Sequence, residues 1–168
     1  MMDDKPKPTQ QESLRGLAEK VQSALNAFGF DFRVQELPGS TRTASDASIA
    51  VGCTIGQIAK SLVFRFTQRG EPLLVITSGA NQVNINLLGD LLGEAIEIAD
   101  AEFVRESTGF AIGGVPPIGH NAPIRTILDQ DFMQYDEIWA AAGTPHAVFR
   151  LTPAELVLIT DGEWMRVS

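Results

Sequence analysis

Cysteine occurs once in the 168 residues, at Cys53, which excludes an intramolecular disulfide and any multi-cysteine zinc site. Histidine occurs twice, at His120 and His146, too few for a His-rich metal centre, and no metal or cofactor is expected. Lysine is scarce: of Lys5, Lys7, Lys20 and Lys60, only the last lies beyond residue 20. No apolar run approaches the roughly 18 residues of a membrane span. The opening residues 1–11 (MMDDKPKPTQQ) hold no apolar signal stretch, so a cytoplasmic location and no membrane partner are expected. Basic runs are absent, and 13 basic against 21 acidic residues leave a net charge of −8. That balance disfavours a protein that grips long nucleic acid by its phosphates, and no DNA partner is expected. It leaves open a pocket that binds one end of a nucleic acid.

What is present describes one domain. Residues 1–11, polar with Pro6 and Pro8, read as a disordered tail, and 12–168 as a single folded domain. From Ser13, apolar residues Leu14, Leu17, Val21, Leu25 and Phe28 recur at helical spacing until Gly29. Phe30, Phe32 and Val34 alternate with polar residues as in a strand. The spacing predicts a helix over 43–51, capped by Thr43 or Ser45 and ended by Gly52. A strand over 57–66 places Ile58, Lys60, Leu62, Phe64 and Phe66 on one face, with Ala59, Ser61, Val63 and Arg65 on the other.

Further strands are predicted at 73–77, 95–99, 110–112, 124–128, 137–142 and 146–151, and helices at 84–93 and 100–106. Thr152, Pro153 and Glu155 form a capping box that opens a last short helix. Strands with irregularly interspersed helices define an α/β (α+β) class around a mixed sheet.

Lys60 stands mid-strand between Ile58 and Leu62. Either its head snorkels to water, or it is a buried cation that needs an anionic partner or a lowered pKa. Residues 113–119 (GGVPPIG) fit G-x-x-x-P. Its glycines allow close backbone approach and its prolines stiffen the turn, which suits either a structural turn or aimed N–H donors. His146, after the turn at 142–145 (AGTP), can stand at a pocket mouth, and His120 with His146 supplies at most two metal ligands. Cys53 reads as a small hydrophobe or as half of a Cys–His nucleophile pair.

Residues 57–64 (QIAKSLVF), 109–120 (GFAIGGVPPIGH), 141–144 (AAGT) and His146, in this order, resemble the YbaK/EbsC family. These are aminoacyl-tRNA deacylases related to the editing domain of bacterial prolyl-tRNA synthetases. The resemblance spans residues 20–165 and is closer to the free-standing members than to a synthetase insertion. It implies a mixed sheet curled into a barrel-like core with helices outside. It implies hydrolysis of the ester joining a wrong small amino acid to the 3′-terminal adenosine of tRNA, with proline tRNA the expected carrier. Lys60 would be the essential cation, and Gly113, Gly114 and Pro117 would belong to the catalytic loop. Val115, Pro116, His120 and His146 would contact substrate. Prolyl-tRNA synthetase or an elongation factor would supply tRNA identity. The alternative function is a non-catalytic tRNA- or nucleotide-binding module of the same fold.

Overall fold

The computed structural model describes residues 10–168. Helix α1 (Gln10–Asn26) buries Ala18, Val21 and Leu25 at helical spacing. It starts at Gln10, so Gln10 and Gln11 are helical and not part of a tail; the rest of the expected tail lies outside the described residues. The strand predicted from Phe30 to Val34 does not form. The α1 side chain of Gln22 takes its place, donating to the Phe32 carbonyl at 2.9 Å and accepting from the Val34 N–H at 2.8 Å. Those backbone groups therefore need no neighbouring strand. Only Gln35–Glu36 forms a strand there, β1.

Helix α2 (Ala44–Val51) is capped by Thr43, which accepts from the Asp46 N–H at 3.1 Å, and ends at Gly52 with φ 76°. There follow β2 (Ile58–Phe66), β3 (Pro72–Ser78), α3 (Ile85–Leu92), β4 (Ile96–Ile98) and α4 (Ala101–Thr108). After them come β5 (Arg125–Asp129), β6 (Ile138–Ala141), β7 (Ala147–Leu151), α5 (Pro153–Thr160) and β8 (Glu163–Met165). The capping box of α5 is realised: Glu155 accepts from the Thr152 N–H at 2.8 Å and donates its own N–H to the Thr152 hydroxyl at 3.1 Å. No strand forms at 110–112, because Thr108 captures that backbone, donating to the Phe110 carbonyl and accepting from its N–H. Strand β8, three residues after Asp161 and Gly162, is too short to leave a periodicity and was not anticipated.

The eight strands form one mixed sheet in the order β1-β7-β6-β2-β3-β5-β8, with β4 attached to β2. The mixed sheet and outer helices match the expected architecture, but the sheet does not close: β1 and β8 are free ends. A large core covers one face, with Ala59, Val63, Val104, Val115 and Phe110. A smaller one, with Phe64, Phe66, Val75 and Leu88, covers the other.

Strand β2 carries the feature that organises the site. Antiparallel β3 occupies one of its edges along Ala59 to Arg65. The other edge is shared, with parallel β6 pairing at Ile58 and Ala59 and antiparallel β4 at Phe64 to Phe66. Ala99 adds one bond to the Val63 carbonyl at 3.3 Å. Between these pairings the edge of β2 is open.

Candidate active site

A cavity of about 460 Å³ occupies this opening and touches residues 58–64 of β2. Its other walls include Thr41 and Arg42, Ala99 and Val104, Gly113 and Val115, and Trp139 and Ala140. Most of these side chains are apolar, and the charged ones, Arg42 and Lys60, are both cations. A positive, low-dielectric cavity in an acidic chain focuses attraction on one small anionic ligand.

Lys60 is half-buried and donates Nζ to the Asn81 carbonyl at 3.4 Å. Among the described residues it forms no ion pair. Its cationic head is anchored by a carbonyl and left available to a ligand. Asn81 is itself fixed: its amide donates to Asp129 at 2.9 Å and to Asp131 at 2.7 Å. Asp129 is 1% exposed and also accepts from the Thr77 hydroxyl at 3.1 Å and the Ser78 N–H at 2.9 Å. A buried carboxylate at the end of β5 thus positions the lysine through an asparagine.

The glycine-rich loop borders the cavity at Gly113 and Val115. Gly113 has φ +91°, and a Cβ there would lie 2.9 Å from the Arg42 Cγ, so its lack of a side chain admits Arg42. Gly114 does not line the cavity. Its N–H is spent on the Ala111 carbonyl at 3.0 Å, and a Cβ would lie 3.0 Å from both the Gly143 carbonyl oxygen and the Thr144 Cα. The loop and the Ala142–Gly143–Thr144 turn are therefore packed backbone against backbone. Gly114→Ala is expected to cost about 1–3 kcal/mol by wedging them apart, and to lower any activity that needs Gly113 and Val115 in place. Urea unfolding followed by circular dichroism checks this; an unchanged midpoint contradicts the packing role.

The remaining predicted residues are not brought to the cavity. Pro116, within the loop, is buried, and its carbonyl lies 2.7 Å from the His120 Nε2. Pro117 and His120 line a separate depression with Phe28, Ile124 and Thr160. His146 rests its Nδ1 3.1 Å from the Gly39 carbonyl, while its own carbonyl accepts from the Leu37 N–H at 2.7 Å. Next to it, the Pro145 carbonyl accepts from the Thr41 hydroxyl at 2.8 Å. His146 thus holds the segment that delivers Arg42. Among the described residues no three metal-ligating side chains converge, and the two histidines have different neighbours. Burial pushes the Cys53 thiol up, which disfavours the thiolate a nucleophile needs.

Burial, reinforced by the charge of Lys20 and opposed by the Pro116 carbonyl, holds His120 below its ordinary value of 6.5. Folded His120 takes up a proton less readily than it does in the unfolded chain. Its contribution is present above the unfolded value and is lost as the pH falls below it. Stability of the native chain should therefore drop more steeply than that of His120→Gln between about pH 7 and 5. Parallel profiles in chemical denaturation would contradict this.

Arg42, Ser61 and the Asn81–Asp129 support were not singled out by the sequence reading. Arg42 had one available signal, its place just before the Thr43 cap.

Fold and site together define a small α/β domain with a cation and a rigid glycine–proline loop facing one apolar cavity. Residues 39–159 match the family model of the aminoacyl-tRNA editing domain, and the chain belongs to that family. It is 28% identical over 123 residues to the uncharacterised protein YwhH of Bacillus subtilis, covering 73% of this chain and 78% of that one. It is 24% identical over 127 residues to EbsC of Enterococcus faecalis, named a candidate Cys-tRNA(Pro)/Cys-tRNA(Cys) deacylase, covering 75% and 77% respectively. A crystal structure described as a candidate trans-editing enzyme for prolyl-tRNA synthetase superposes with a TM-score of 0.86 at 48% identity, covering 90% of this chain and 96% of that chain.

Proposed function

We propose that the chain is an aminoacyl-tRNA deacylase acting in trans, which removes a wrong small amino acid from tRNA, with proline tRNA the favoured carrier. The observation that carries this reading is the convergence of Lys60, Arg42, Gly113 and Val115 on one cavity in a member of the editing family. The EbsC and trans-editing relatives support the reaction and the proline tRNA system.

The reaction needs little machinery, because an aminoacyl ester is already activated. Water attacks the ester carbonyl carbon, the bond to the ribose oxygen breaks, and that oxygen takes a proton; free amino acid and tRNA result. Negative charge gathers on the carbonyl oxygen in the transition state, where a fixed cation and aimed N–H groups stabilise it. Lys60 serves as that fixed cation. The Gly113 and Val115 backbone holds the ester or the water, and Arg42 receives the terminal phosphate. Among the described residues no carboxylate or histidine lines the cavity, and we assign assistance of the water to a ribose hydroxyl of the substrate. The acidic chain grips only the aminoacyl-adenosine end, so prolyl-tRNA synthetase or an elongation factor provides tRNA identity.

The test is deacylation of tRNA carrying alanine, cysteine or serine, beginning with proline tRNA. Release of one amino acid supports the reading. Retained tRNA binding without any release favours a non-catalytic binding module.

A further inference from the structure

The open edge of β2 is one rung wide. Along β2, the Ile58 carbonyl accepts from Gly79 at 2.8 Å and the Phe66 N–H donates to Glu71 at 2.9 Å, so the even-numbered residues turn their backbone groups toward β3. Odd-numbered residues turn theirs the opposite way. Ala59 meets β6 and the Val63 carbonyl meets Ala99, but Ser61 between them has no strand opposite. The register of β4 would place residue 101 there, yet Asp100 caps α4 and the chain leaves the sheet. The N–H and C=O of Ser61 therefore face the cavity, which Ser61 lines. Independently, the Ser61 Oγ is buried without a hydrogen-bond partner among the described residues. A buried hydroxyl without a partner beside an uncovered strand edge calls for a ligand at this residue of the cavity wall.

An aminoacyl ester matches this vacancy. Its amino group, α-carbon and carbonyl have the spacing of one residue of main chain, and facing residues of a hydrogen-bonded antiparallel pair exchange both N–H···O bonds. We infer that the aminoacyl group of the substrate docks as the missing rung, its α-ammonium donating to the Ser61 carbonyl and its ester carbonyl accepting from the Ser61 N–H. The inference rests on the deacylase reading and deepens it. Recognition is then by main chain, common to every α-amino acid, while the adjoining Ala59, Val63, Ala99 and Val104 walls restrict the side chain. Lys60, the next residue, places its charge beside the polarised carbonyl.

The test uses two non-hydrolysable probes: 3′-amino-3′-deoxyadenosine bearing alanine in amide linkage, and the propionyl counterpart lacking the amino group. Amide hydrogen exchange is read residue by residue by NMR. In the free protein the Ser61 amide should exchange faster than those of Lys60 and Leu62, which face β3. The alanyl probe should slow Ser61 exchange about 10-fold or more, and the propionyl probe should bind about 10-fold or more weakly. If the alanyl probe shifts Gly113 and Val115 but leaves Ser61 exchange unchanged, or if both probes bind equally, the inference falls while deacylation of tRNA still upholds the enzyme. If neither probe perturbs the cavity, the inference falls as well, and absent deacylation removes the enzyme reading with it.

Discussion

Replacing Lys60 with alanine should lower the deacylation rate about 10²- to 10³-fold, the scale of one lost oxyanion-stabilising group. The loss should fall on kcat more than on KM, because the charge matters most where the carbonyl oxygen becomes negative. Thermal stability should barely move: the head makes one 3.4 Å bond to the Asn81 carbonyl and no ion pair. Lys60→Arg should fail to rescue, since a planar fork cannot occupy the position of a compact ammonium held by one carbonyl. Single-turnover deacylation with saturating enzyme measures both variants. Native rates in Lys60→Ala would remove the lysine from the mechanism, and full rescue by arginine would leave it as a binding charge only.

The largest effect on stability is expected at Asp129. Asp129→Ala leaves the Thr77 hydroxyl, the Ser78 N–H and the Asn81 amide without their shared acceptor in a buried site. Removing one partner of such a buried charged network costs about 3–5 kcal/mol, or roughly 10 °C in melting temperature for a domain of this size. Asp129→Asn keeps the shape but presents an amide to four donors, the Asp131 N–H included, so a smaller loss is expected. It should also lower kcat, because Asn81 no longer holds Lys60 in place. Denaturant unfolding and the same kinetic assay separate the two consequences. An Asp129→Asn protein with native kcat would show that the carboxylate supports the fold without placing the lysine.

The site was legible where its signal was local. Lys60 announced itself as the only lysine beyond residue 20, set mid-strand between Ile58 and Leu62, and it lines the cavity. The Thr152 and Glu155 pair announced a helix start that the structure contains. Signals that depend on distant partners were not legible. The alternation of Phe30, Phe32 and Val34 reads as a strand, but its backbone is satisfied by Gln22 from α1. Glycine 114 reads as catalytic because its loop does, yet it serves the packing against Gly143 and Thr144. The two histidines, which the family resemblance implies as substrate contacts, lie away from the cavity lining: the His120 Nε2 faces the Pro116 carbonyl and the His146 Nδ1 faces the Gly39 carbonyl. Ser61 carries no signal at all in the sequence, since its importance comes from what β4 and β6 leave uncovered.

The shared edge of β2 also restricts how this protein can change over time. Residues 60–62 separate Ala59, which meets β6, from Val63, whose carbonyl meets Ala99, and at about 3.3 Å per residue the two anchor points stand about 13 Å apart. Two clamps in different parts of the chain hold the ends of that ruler. Substitution within it can retune the cavity, but gaining or losing one residue would turn every later side chain to the opposite face. Lys60 and the Ser61 amide would no longer serve the same opening. Lineages of this domain should therefore hold the length of this stretch constant and keep Lys60, while the side chains at its other positions vary.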